Sequence, residues 1–247
     1  MKKLVNVLLL ILLTTSLSGC EQYDGTQPGK IDIYFLNYEM HRDGFRQNGD
    51  SVTLLEQVSS HAEMQTYQNT IYDGSYVGIG YPGGDVGYQQ GVCTDVVIRA
   101  FRIIDIDLQE LIHNDMKNDL ETYNKRYKTK AVDKNIDHRR TQNIQTYLTK
   151  IGAKIKVPNS IDQYKPGDIL FWDIAAGHTG IVVSSRTNDG YNRLVVHNIG
   201  GGAVYENLLS YWTPVEVYRL NDSIIKKMKS NCKFKYDSEK DFKRYVQ

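Results

Sequence analysis

Gly91-Val92-Cys93-Thr94-Asp95-Val96-Val97-Ile98-Arg99-Ala100-Phe101-Arg102-Ile103-Ile104 is the stretch from which the fold can be read. Its apolar positions Val92, Val96, Val97, Ala100, Phe101 and Ile104 recur at helical spacing. The Gly-rich run just before it, residues 81–91, cannot hold regular structure for long. Cys93 is therefore placed in the first turn of a buried helix. A second helix is expected over residues 108–123 and a third over 143–151, stopped by Gly152. Beyond it the periodicity changes. Lys165-Pro166-Gly167-Asp168 reads as a turn in which Asp168 caps backbone amides, and residues 169–172 follow as a strand. Residues 179–184 and 194–197 read as two more strands around the turn Asn188-Asp189-Gly190, and 211–220 supplies another. Helices first and an antiparallel sheet after them give an α+β layout.

Outward from this block the chain divides into four parts. Lys2 and Lys3 precede an apolar run over residues 4–13 that is too short to span a bilayer with comfort. Leu17-Ser18-Gly19-Cys20 then has the form of a lipobox, in which the Cys20 thiol receives a diacylglycerol; a plain secretory signal is the alternative. The expectation is a lipoprotein of the cell envelope, held on a membrane through Cys20 and facing the periplasm or the cell exterior. Residues 21–69 read as a spacer and N-terminal extension with a candidate strand at 31–36, residues 70–220 as the domain, and 221–247 as a charged, solvated tail. The chain carries 30 Lys plus Arg against 29 Asp plus Glu, so no charge excess points to nucleic acid.

After Cys20, only Cys93 and Cys232 remain. A disulfide between them is one reading, but Cys232 lies in the Lys-rich tail and Cys93 at a helix start, two unrelated settings. A thiol at a helix N-terminus is favoured as thiolate by the unpaired amides there, which could also hold the oxyanion of a tetrahedral intermediate. The bland alternative is a small buried apolar Cys. A nucleophile needs a base, and the base a third group to fix its tautomer. His178 opens one expected strand and His197 ends the next, which brings both to one edge of the sheet if the strands are antiparallel neighbours. Either histidine could instead be a hydrogen-bonded structural residue. No His, Cys or carboxylate set has zinc-ligand spacing, and thiol hydrolysis requires no metal or other cofactor. Gly78-Ile79-Gly80-Tyr81-Pro82-Gly83 fits the letters of a dinucleotide fingerprint, yet Pro82 and the absence of a following helix make it a loop.

Several ordered blocks resemble one family. Tyr81-Pro82-Gly83-Gly84-Asp85, Gly91 to Ala100, and Asp107-Leu108-Gln109 are followed by Asp133 to Arg140, Pro166-Gly167-Asp168-Ile169, His178-Thr179-Gly180-Ile181-Val182 and His197-Asn198-Ile199-Gly200. Together they resemble the bacterial domain-of-unknown-function family numbered 1287 over roughly residues 70 to 220. That family is more remotely similar to the NlpC-type peptidoglycan peptidases of the papain-like clan. The resemblance implies a papain-like fold, with Cys93 as nucleophile, His178 as base and His197 as orienting residue, acting on peptide or amide bonds of peptidoglycan stem peptides. Val92 and Thr94 stand where Asp and Ser are usual beside such a cysteine. His138, Arg139 and Arg140 could meet a carboxylate of a stem peptide, or the Asp and Arg residues of that block could pair with each other to hold a loop. Acyl transfer or transpeptidation on the same fold, and an inactive module that docks wall peptides, are the competing readings.

Overall fold

In the computed structural model, residues 51–68, 71–238 and 240 are described, so Cys20, the lipobox and the candidate strand at 31–36 lie outside the described residues. The α-helices are α1 (Leu54–Met64), α2 (Cys93–Arg102), α3 (Leu108–Asn118), α4 (Leu120–Arg126), α5 (Thr141–Lys150) and α6 (Asp222–Ser230). The strands are β1 (Ile71–Tyr72), β2 (Gln90–Gly91), β3 (Lys154–Ile155), β4 (Ile169–Trp172), β5 (His178–Arg186), β6 (Arg193–Asn198), β7 (Ala203–Glu206) and β8 (Glu216–Tyr218). Strands β3-β8-β4-β5-β6-β7 form one antiparallel sheet in that order, and β1 pairs with β2 in parallel. The class is α+β, as expected.

Helix α2 begins at Cys93 because Asp95 folds its carboxylate back onto the Val92 N–H, 2.7 Å away. An acid three residues into a helix satisfies an orphan amide and complements the dipole. All ten residues of α2 are buried, so it is a central strut. Phe101, Val97 and Ala100 are fully enclosed in a core that also takes Ile181 and Val196 from the sheet. Burying a side chain of Phe size contributes roughly 1.5–3 kcal/mol. A second, smaller core on other positions of the same strands holds Leu170, Trp172, Val182, Val195 and Val217. Alternate residues of a strand point to opposite faces, and the sheet is covered on both.

The expected helix at 108–123 is two helices, because Asp119 closes α3 and its carboxylate accepts the Thr122 N–H to cap α4. The third helix starts two residues earlier than expected and ends before Gly152, whose φ of 80° suits a glycine. Strand β4 occupies 169–172 as read, whereas the last expected strand shrinks from 211–220 to Glu216–Tyr218. The core also extends beyond 70–220. Helix α1 contributes Val58, Ala62 and Met64, and Ser59 and Glu63 accept the backbone amides of Ser184 and Ser185 on β5. In the tail, Ile224, Ile225, Met228 and Cys232 are buried, so α6 is half core rather than solvated. The buried Glu110 carboxylate accepts the Cys232 thiol and the amides of Lys233 and Phe234, tying that tail down. Cys93 and Cys232 are both free, each in its own setting.

Candidate active site

The loop that delivers Cys93 is held by a buried ionic lattice. Asp85 receives Arg99 at 2.6 Å and Arg102 at 3.1 Å, and Arg102 also reaches Asp107. Asp107 accepts the Gly83 N–H and Gln109 accepts that of Gly84. Gly84 itself lies so close to the Gly80 carbonyl that a Cβ would collide with it. At the loop's end, the Gly91 carbonyl accepts from the Asp73 N–H and from Asn198 Nδ2, which links the cysteine loop to the end of β6. The glycine run read as a loop is a loop, tied to its charged neighbours by these contacts.

Cys93 is 5% exposed, and the backbone N–H of Thr179 lies against its sulfur. That amide belongs to the residue after His178, so the first turn of α2 approaches the start of β5. Burial pushes the Cys93 thiol up to about 11, outweighing the Thr179, Thr94 and Cys93 amides that favour the thiolate. The helix N-terminus by itself favours the thiolate, the opposite direction. In the folded site desolvation wins, because the sulfur is almost fully enclosed. Among the described residues no hydrogen bond joins the Cys93 thiol to the His178 ring. A catalytic contact of this kind often tightens only when substrate enters.

The two histidines meet. His178 Nε2 lies 3.0 Å from His197 Nδ1, with the rings edge to face, and the Trp172 ring packs against His178. Their registers explain the pairing. Gly180 is directly opposite His197, so His178 sits on the same face, one diagonal step away. A Cβ at Gly180 would come within 2.8 Å of Val195 and 3.1 Å of the His197 Cβ, so the close crossing needs glycine. On the other side of His197, Glu206 Oε2 lies 3.3 Å from Nε2. Glu206 is a member of the chain that sequence reading missed.

This chain fixes proton positions. A carboxylate only accepts, so His197 must carry its proton on Nε2 to donate to Glu206. His197 Nδ1 is then an acceptor, and His178 must donate from Nε2. His178 Nδ1 is left with a lone pair, the form a general base requires. Burial, with the neighbouring His197, holds the His178 imidazolium down to about 4; burial lowers His197 as well, against the opposing pull of Glu206. Both shifts favour the uncharged forms, a neutral thiol on Cys93 and a neutral imidazole on His178.

The 133–140 block builds the wall of the cleft. Arg139 is buried, grips Asp95 at 2.9 Å and donates to the carbonyls of Asp73 and Ser75, while its own carbonyl accepts the Thr94 hydroxyl. It therefore ties α2 to the 73–75 segment rather than presenting donors to a ligand, and its acidic partner is Asp95, outside the 133–140 block, not an Asp of that block. His138 is 2% exposed, and burial lowers it to about 3. Arg140 alone of the three is exposed. A cavity of about 170 Å³ is lined by Cys93, Tyr72, Tyr127, Arg139, Arg140 and Gln142, among others. Among the described residues no group of three or more His, Cys, Asp or Glu side chains is placed to hold a metal ion.

The family described as Domain of unknown function (DUF1287) matches residues 59–220, a span that holds the helix of Cys93, both histidines and Glu206. The chain belongs to this family. It is similar to the Uncharacterized protein YijF of Escherichia coli (strain K12), with 40% identity over 164 residues, 66% of this chain and 80% of that protein. No solved structure matches. The family match starts inside α1, consistent with the packing of that helix on β5.

Proposed function

We propose that this family member is a papain-like cysteine hydrolase that cleaves peptide or amide bonds of peptidoglycan, tethered at the cell envelope through Cys20. The observation that carries the reading is the ordered chain His178, His197, Glu206 at the start of β5, beside a cysteine that opens a buried helix. His178 Nδ1 removes the thiol proton as sulfur attacks the scissile carbonyl, and the resulting imidazolium protonates the leaving amine. The amides of Cys93 and Thr179 are candidates to meet the developing oxyanion. Water then attacks the thioester, with His178 again as base. A neutral resting pair suits this sequence, because the charge separates only when the carbonyl is present.

One observation favours a second reading. A thiol held at about 11 is a weak nucleophile when unassisted, as expected of an inactive module that docks wall peptides in the same cleft. Incubating the protein with purified peptidoglycan and weighing the products separates the two. Hydrolysis adds one water per bond cut, the OH going to the acyl fragment and the H to the amine fragment. A transferase gives fragments joined to an added amine, and a docking module leaves the polymer unchanged.

A further inference from the structure

We infer that Arg140 forms an anion subsite at the mouth of the Cys93 cleft, so that the group acted on carries a free carboxylate close to its reacting carbonyl. The inference deepens the hydrolase reading and rests on it for the identity of the reacting group.

Of the residues lining the cavity around Cys93, two are cationic and none is acidic. Arg139 is neutralised by Asp95, with both side chains buried. Arg140 is exposed, and among the described residues its guanidinium makes no ion pair at contact distance, although it acts through space on the buried Asp137 carboxyl. It lies 5.6 Å from the centre of the Tyr127 ring, itself partly exposed at the same cavity. A planar guanidinium parked on an aromatic face keeps its in-plane donors free for a bidentate contact. The backbone that carries it is rigid. Arg140 caps α5, its carbonyl accepts the Asn143 and Ile144 amides, and its neighbour Arg139 is locked to Asp95. The backbone that carries the charge is therefore anchored beside the cavity that holds the thiol.

Size narrows the class. A cavity of about 170 Å³ is below the ~300 Å³ at which pockets enclose a whole small ligand. It admits one residue-sized group. The cavity shares Thr141, Gln142 and Gly177 with a neighbouring depression of about 370 Å³ lined by Phe171, Trp172 and Glu216. Asp173 and Glu216 line that depression beside Arg126, so the excess of positive charge is confined to the Cys93 cavity; a linear peptide lying along both, with one carboxylate on Arg140, fits this shape and charge.

The test needs a carboxylate that can be switched without changing the reaction. Iodoacetate and iodoacetamide alkylate the same sulfur and differ in that one charge. Rates at Cys93 are read by peptide mass mapping on the full-length protein in detergent, for wild type, Arg140→Gln and Arg140→Lys. The iodoacetate-to-iodoacetamide rate ratio should fall about tenfold in Arg140→Gln, the size of one lost charge-assisted contact. It should fall less in Arg140→Lys, and wild type should lose the preference in high salt. An unchanged ratio in Arg140→Gln overturns the subsite, even if wall peptides are cleaved. Labelling of wild-type Cys93 by iodoacetamide but not by iodoacetate overturns it too, since the cavity would then admit the neutral reagent and refuse the anion. If the ratio falls as expected but no wall fragment is cut, the subsite stands and the hydrolase reading fails.

Discussion

At the level of single residues, each member of the chain should fail in its own way. Cys93→Ser should lower turnover by roughly 10³-fold or more while the protein stays folded, since oxygen is a poorer nucleophile and little volume changes. His178→Ala should cost about 10²–10⁴-fold, the range for loss of a general base. His197→Ala removes only the group that orients the base, so about 10–100-fold is expected, with partial recovery in His197→Asn or His197→Gln. Melting temperature measured on the same proteins excludes a folding defect. Glu206→Ala should cost less than His197→Ala, and Glu206→Gln less still, because an amide oxygen can accept the same His197 proton. The pH profile offers an independent check. With His178 held near 4 and the thiol near 11, kcat/KM should stay level well below the pH at which an ordinary imidazole protonates. An acid limb centred near 6.5 would contradict the buried neutral histidine. Cys93, His178 and His197 could be singled out in the sequence because a helix start, a strand start and a strand end have local signatures. Glu206 could not, as its contact depends on how β7 registers against β6, with His197 opposite Val204.

At the level of elements, two pairings matter most. Gly180→Ala would place a Cβ against Val195, the Val196 carbonyl and His197, prising β5 from β6 where the histidines meet. A stability loss of about 1–3 kcal/mol is expected from the overpacking. Turnover of the remaining folded protein should drop as well, which separates a displaced histidine pair from simple destabilisation. Asp95→Ala removes both the cap of α2 and the partner of buried Arg139, and should cost about 3–5 kcal/mol in a denaturant melt. Strand β4 was legible because its four apolar residues are all buried and are bounded by a turn. Helix α1 was not, because its inward face includes Ser59, Ser60 and His61 among a few apolar residues. The break at Asp119 was hidden because the apolar spacing runs on through it, and only the cap of α4 marks the join.

At the level of the whole molecule, acid should loosen the fold. His178 is lowered to about 4 and His138 to about 3, and burial lowers His197 too. A group whose folded value is depressed contributes stability above its unfolded value of about 6.5, and that contribution is lost as pH falls toward the folded value. Asp137, pushed up to about 6 by burial, works in the opposite sense, since its contribution is lost as pH rises through that value. Four lowered histidines, His113 among them, against the two carboxyls that burial raises, Asp137 and Glu63, predict a melting temperature that falls between pH 7 and 4; a rise over that window would contradict the burial of His138, His178 and His197 as neutral rings. The core reaches past 70–220 on both sides, which was not legible because amphipathic α6 and polar-faced α1 resemble solvated helices until their partners are known. The central claim, a thiol that cuts wall peptides, is tested most directly by digesting purified peptidoglycan with wild type and with Cys93→Ser and weighing the fragments. The account predicts fragments that gain one water at a peptide or amide bond with wild type and none with Cys93→Ser. The same fragments from folded Cys93→Ser, or an unchanged polymer with wild type, would contradict it.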